Sequence, residues 1–353
     1  MHALAEGLSA CKFGVEASLM RKVLGAAFAA AMAVGLSTAA QAQIKLKISS
    51  PTVNDMSAEW SKTFAAAVEK RAGGKIKVEF YPAGQLGPIP ATVEGTALGT
   101  IEMVVLASGF YVGLEPRFLV LDMPGLFDNT EHGRKVLSDP AARAVLSKFG
   151  NTKGVEPIAY FIHSPLYLLS HKPVRKFSDI AGLKIRTPGG APLHLEPFRK
   201  ANASPLSLPL GEVLPAMQNK TIDGFIAGLS VFTGFKYYDV AKAMTAVPGS
   251  VIVAPVLANS AFLKSLGPDL EKIVREEAIN AENAIVPWGV ADETAGLDVW
   301  RKNGGEVIKM PAEEEKKYID NVVSILPAVY SANPNFKGDY DVLLTASQKA
   351  RGQ

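Results

Sequence analysis

Apolar and charged residues alternate in Ile44-Lys45-Leu46-Lys47-Ile48, and this period of two predicts a strand running to Ser50. Trp60, Phe64, Ala67 and Val68 recur at helical spacing, so Ala58 to Val68 reads as a helix, stopped by Gly73-Gly74. Lys75 to Tyr81 is a second alternating strand, and the Gly- and Pro-rich turn Pro82 to Gly87 leads into a short helix. Met103 to Ala107 is continuously apolar, as strands buried on both faces are. This strand-helix-strand alternation predicts an α/β fold.

Helical sequence follows from Glu131 to about Phe149, with a break expected at Pro140. Strands are expected at Val155–Ile162, Tyr167–Ser170 and Leu183–Thr187. Pro188-Gly189-Gly190 closes the last of these before a helix from Ala191 to about Ala201. Glu212 to Gln218 reads as helix, Ile222 to Phe225 and Ser250 to Ala254 as strands. A long helical stretch includes Leu270 to Trp288, kinked at Pro287. A final strand spans Gly305–Met310, and helices begin near Pro311.

The first forty residues fit none of this. Arg21 and Lys22 precede an apolar run from Val23 through Leu36, then small residues and Ala40-Gln41-Ala42. A positive segment, an apolar segment and a small-residue site in that order predict a secretory signal peptide cleaved after Ala42. The run is short for a bilayer crossing, which takes about 20 apolar residues. Glu6 and Glu16 are out of place ahead of such a segment, so the natural start is expected at Met20. Cleavage would remove Cys11, the one cysteine, and with it disulfides, thiolate metal sites and cysteine nucleophiles. It would also remove Lys12, Arg21, Lys22, Glu6 and Glu16, lowering the formal charge of +3 by one. A chain of 353 residues with 48% hydrophobic and 20% charged residues is globular and long enough for two lobes. No basic stripe interleaved with aromatics supports nucleic-acid binding.

Catalytic patterns are scarce. His132, His163, His171 and His194 show no metal-ligand spacing and read as surface or hydrogen-bonded structural residues. The mature chain has no G-x-S-x-G elbow, S-x-x-K or Walker loop, and its Gly-Gly pairs fit no dinucleotide fingerprint. An enzyme is not expected, nor a cofactor or metal. An extracytoplasmic hydrolase stays open as the competing class, because scattered carboxylates can pair in space.

The specific block is Asp179-Ile180-Ala181-Gly182-Leu183-Lys184-Ile185-Arg186-Thr187-Pro188, flanked by Phe80-Tyr81-Pro82-Ala83-Gly84-Gln85-Leu86-Gly87 and by Glu212 through Gly224. With Asp122-Met123-Pro124-Gly125-Leu126-Phe127 and His132, in this order, the chain resembles the solute-binding proteins of tripartite ATP-independent periplasmic (TRAP) transporters, of the DctP type. The resemblance implies a type II periplasmic-binding-protein fold: two hinged α/β lobes, crossover strands and a long lobe-spanning helix. The lobes would be 43–165 plus 250–285, and 166–249 plus 286–353. It implies a periplasmic receptor that closes on a small organic acid and hands it to a membrane permease. It also implies that Arg186 pairs with the ligand carboxylate. The chemistry fits, since a guanidinium presents a planar fork to a carboxylate and keeps its charge.

This chain departs from the common pattern at Pro88-Ile89-Pro90-Ala91 and at Phe225-Ile226-Ala227-Gly228, where many relatives carry polar residues. A second arginine is missing from the region Phe161 to Tyr167. One fixed cation among apolar neighbours suits a monocarboxylate with an apolar or aromatic body. A C4-dicarboxylate or keto-acid receptor is the alternative within the family. Further candidate contacts are Phe225, Ser108, Tyr111, Trp60, Asn54 and His163.

Overall fold

The computed structural model describes residues 43–352. The expected signal peptide therefore lies outside the described residues. Residues 44 onward form one unit built on a nine-stranded mixed sheet. Its strands are β1 (Ile44–Ser49), β2 (Ile76–Tyr81), β3 (Met103–Val105), β4 (Val155–Ser170), β5 (Lys184–Thr187), β6 (Ser204–Ser207), β7 (Gly224–Gly228), β8 (Ala243–Asn259) and β9 (Glu306–Ile308). The order across the sheet is β2-β1-β3-β8-β4-β7-β5-β6, with β9 beside β8. β4 and β8 are antiparallel along their whole length, from Val155 opposite Asn259 to Ser170 opposite Ala243. Their first pairings support β3, β1 and β2 (the near end), and their last support β7, β5, β6 and β9 (the far end).

Helices cover both faces at each end, which explains the continuously apolar strands. All five residues of β7 and all three of β3 are buried. At the near end, helix Met56–Arg71 lays Trp60, Phe64 and Val68 on Ile48, Val78 and Val256. Asp55 caps that helix by accepting from the Ala58 amide at 3.0 Å. At the far end, Trp300, Phe232 and Tyr237 cover one face, while Ile180, Ile185 and Phe198 share the cluster on the other.

Two strands differ from the sequence reading. Val155–Ile162 and Tyr167–Ser170 are one strand, because Ser164 and Pro165 pair with Ile252 and Val251 while His163 and Leu166 are absorbed as bulges and not as a turn. Ser250–Ala254 is the middle of β8, whose first half carries Pro248 and Gly249 at an irregular stretch facing Leu166. The long helical segment is two helices in succession, Gly267–Ala284 and Val286–Lys302, with Pro287 in the first turn of the second. The first packs on helix Met56–Arg71, and the second on helix Leu229–Gly234 at the far end.

The chain's last helix corrects the expected assignment of 286–353. Phe336–Arg351 packs on helices Thr130–Ser138 and Pro140–Leu146, which the sequence reading placed in the other lobe. Phe336, Leu343, Ala346 and Ala350 share their cluster with Phe118, Val136 and Leu146, a helical-period apolar face that finds its complement there. Arg117 fixes the contact with two bonds to Asp339, at 2.6 and 2.8 Å.

Glu282 is the buried acid that ties helix Gly267–Ala284 to the ladder. It is 2% exposed, accepts the Tyr160 amide at 3.0 Å beside the first bulge of β4, and pairs with Arg143. Removing it strands a strand amide and a guanidinium together. Glu282→Ala should lower stability by about 3 kcal/mol in urea unfolding, the cost of breaking a buried pair. A loss of under about 1 kcal/mol would show that water replaces the carboxylate.

Candidate functional site

Arg186 sits third in β5, flanked by β6 and β7, with Ile185 fully buried before it. Its side chain is 1% exposed and held by backbone carbonyls on two sides. Nε donates to the Leu208 oxygen at 2.9 Å and Nη1 to the Ile226 oxygen at 3.3 Å. Nη2 is buried with no partner. No carboxylate pairs with this guanidinium among the described residues. Burial therefore pushes its pKa down to about 10, with nearby Tyr237 acting the other way, and the group stays charged at neutral pH.

Arg186 lines a cavity of about 340 Å³, within the usual range for a small-molecule site. Both ends of the sheet and the crossing strands contribute to it. The near end supplies Thr52, Ser57 and the loops Ala107–Phe110 and Leu121–Phe127. The irregular parts of the crossing strands supply His163, Leu166 and residues 248–252. The far end supplies Ile226, Leu193, His194 and Pro197, and helix Ala312–Val323 adds Tyr318. Burial pushes the Tyr318 hydroxyl up to about 12, against a contact with Ser250 that lowers it, so the hydroxyl keeps its proton.

Of the residues singled out from the sequence, Arg186 and His163 line this cavity. His163 pairs through Nε2 with Asp55 at 3.0 Å. Burial raises the Asp55 carboxyl. The charge and hydrogen bond of His163, with bonds from Thr52 and the Ala58 amide, outweigh it and hold the group below the usual carboxylate range.

The other five stand elsewhere. Trp60 is fully buried, stacked on Phe64 at 4.8 Å and donating to the Ala278 oxygen at 3.2 Å. Phe225 is fully buried against Tyr237 and Phe232, at 4.7 and 5.1 Å, while the next residues of the strand, Ile226 to Gly228, line the cavity. Tyr111 is buried and bonds to the Val104 and Pro255 oxygens, while its neighbours Gly109 and Phe110 line the site. Ser108 points its hydroxyl at Asp122, 2.6 Å away. Asn54 is exposed at a positive φ of 49° in the turn before the Asp55 cap.

Asp122 and His194 were missed. Asp122 opens a motif quoted for its order in the chain and not for its side chain, and His194 was read as structural. Their Nε2–Oδ2 bond of 2.8 Å is invisible to local spacing across 72 residues of sequence.

Among the described residues, no helix is long and apolar enough to cross a membrane. Residues 49–333 match bacterial extracellular solute-binding protein family 7, the DctP family. The chain is similar to the 2,3-diketo-L-gulonate-binding periplasmic protein of Escherichia coli, 28% identical over 70% of this chain and 75% of that one. It is also similar to a solute-binding protein of Verminephrobacter eiseniae, 32% identical over 65% and 68% of the two chains. Among solved structures, it superposes on a TRAP periplasmic solute-binding protein of Desulfovibrio salexigens with bound orotic acid. The TM-score there is 0.82 at 22% identity, covering 87% of this chain and all of that one. The sugar-acid-binding protein of Advenella mimigardefordensis with galactonate gives 0.80 at 23% identity, over 87% and 99%.

The electrostatics around His163 yield a test. Asp292 is pushed above the ordinary aspartate range, first by burial and then by the Asp55 charge, against His163. Asp55→Asn keeps a good helix cap but removes that charge. In the variant, the Asp292 pKa should fall toward its ordinary value in a carboxyl NMR titration. An unchanged Asp292 would show that burial alone sets it.

The motifs about Arg186, the crossing strands, the cavity between the two ends of the sheet and the family match over most of its length converge, and the chain belongs to the DctP family of TRAP-type bacterial extracellular solute-binding proteins.

Proposed function

We propose that this chain is a periplasmic receptor for a small monocarboxylate with an apolar or aromatic body, which it delivers to a TRAP-type membrane permease without chemical conversion. The observation that carries the reading is Arg186, a buried guanidinium whose Nη2 has no partner and which no protein carboxylate neutralises among the described residues. A buried unpaired charge is costly in the empty protein, and a ligand carboxylate offsets that cost.

The histidines and the apolar part of the wall support one anionic group per ligand. His163 and His194, the histidines that line the cavity among the described residues, are committed to Asp55 and Asp122. Phe110, Leu166, Ile226, Pro197 and Val251 offer no side-chain hydrogen bond. A second carboxylate or a run of hydroxyls against them would lose roughly 1–3 kcal/mol per unpaired group. Orotic acid and galactonate, bound by structural relatives, each bring a carboxylate group that Arg186 would suit. In this reading the acid pairs with Arg186 at the far end, the near-end loops cover it, and the closed form meets the permease.

A thermal-shift panel of organic acids tests this reading. Aromatic and branched aliphatic monocarboxylates should raise the melting temperature more than succinate, galactonate or keto acids at equal concentration. A dicarboxylate that outcompetes its monocarboxylate analogue would overturn the ligand class, and turnover of any ligand would favour the hydrolase. Arg186→Met, which keeps side-chain bulk without charge, should lose binding by about 100-fold or more while staying folded. Retained affinity in that variant would remove Arg186 from the site.

A further inference from the structure

His194 follows β5 on helix Pro192–Lys200, at the far end of the sheet. Asp122 closes the short helix Pro116–Asp122, which packs on β8 and the C-terminal helix at the near end. His194 Nε2 donates to Asp122 Oδ2 at 2.8 Å, and Asp122 Oδ1 takes the Ser108 hydroxyl at 2.6 Å. Asp122 is thus held from its own side and engaged from the other. Both side chains are mostly buried, at 11% and 18% exposed, and both line the cavity.

Two glycines make this approach possible. A Cβ at Gly189 would lie 2.5 Å from His194 Nδ1 and 3.3 Å from the Gly109 carbonyl oxygen. A Cβ at Gly109 would lie 2.8 Å from His194 Cε1 and 3.2 Å from Asp122 Oδ2. The imidazole is wedged between a near-end and a far-end backbone, each bare of side chain where they meet. Next to it, Leu193 is buried in the near-end cluster that holds Leu121 and Met123.

We infer that His194 and Asp122 form a latch across the cavity, seated between Gly109 and Gly189, which holds the near and far ends closed around the ligand space. They are positioning residues: they set the relation of the near-end loops to Arg186 and need not touch the ligand. The inference rests on the reading of this chain as a closing receptor, but not on the ligand class.

The mature chain's lack of cysteine allows a direct test. Spin labels at Lys62→Cys and Gln218→Cys, both exposed and one on each end, report the separation of the ends in the ligand-free protein. The parent should show a short-distance population. His194→Ala and Asp122→Ala should each reduce the ratio of short to long distances by about tenfold, and the double variant by no more than either. His194→Gln, which still carries an N–H donor, should restore much of the short population. Gly189→Ala should shift the ends apart, whereas Gly190→Ala, whose Cβ would meet only Ser207 at 3.8 Å, should not. Should an alanine variant of the pair fail to fold by circular dichroism, the Gly189 and Gly190 variants decide. A parent with long distances only, unchanged distances in the pair variants, or additive effects would overturn the latch. The distances are measured without ligand, so failure of the acid panel leaves them standing, and failure of the latch leaves the Arg186 result standing.

Discussion

The structure depends on the antiparallel pairing of β4 with β8. These strands of 16 and 17 residues run through both ends of the sheet, so each end borrows its central strands from the same two segments. The pairing gives the ends a shared scaffold where strand hydrogen bonds are regular. It gives them an irregular seam where Leu166 faces residues 247–250. Bulges at that seam turn His163, Leu166, Ser250 and Ile252 toward the cavity. The same backbone irregularity that interrupts the ladder therefore builds part of the wall.

Onto this scaffold the far end adds Arg186, a buried guanidinium with no carboxylate partner among the described residues. Natural interiors seldom bury a charge without a partner, and a stability-optimised core would place an apolar side chain at 186. The two carbonyls that hold Nε and Nη1 orient the fork and leave its charge uncompensated. His163 and His194 show the contrasting arrangement, each hydrogen-bonded to a carboxylate from the near end. The cavity thus separates the paired polar groups that hold the protein together from the charge available to a ligand.

The sequence made the α/β alternation, most helices and Arg186 legible, because these rest on local periodicity and on a contiguous motif. It failed where a local signal and a long-range one disagree. Pro165 and Pro248-Gly249 carry turn chemistry, yet the long ladder continues through them, pairing Pro165 with Val251 and absorbing Pro248-Gly249 in the irregular stretch. Trp60, Tyr111 and Phe225 were attractive as contacts because aromatics near strand ends often line clefts. Each instead faces the core by the ordinary alternation of its element, and an adjacent residue takes the cavity in two of the three cases. Asp122 and His194 could not be paired from the sequence, since their bond links segments that meet only after the sheet has assembled.

The strand order also bears on the sequence of events as the chain emerges from its N-terminus. β7 joins β4, and β5 joins β7 and β6, so this four-strand far portion has all its segments once residue 228 is available. β1, β2 and β3 emerge first but reach β4 only through β8, which ends at Asn259. The first strands made must wait for one of the last. Strands β1, β2 and β3 can pair with one another but lack their link to the crossing strands over that interval, and delaying β8 should expose residues 44–105 to aggregation before it touches the far end.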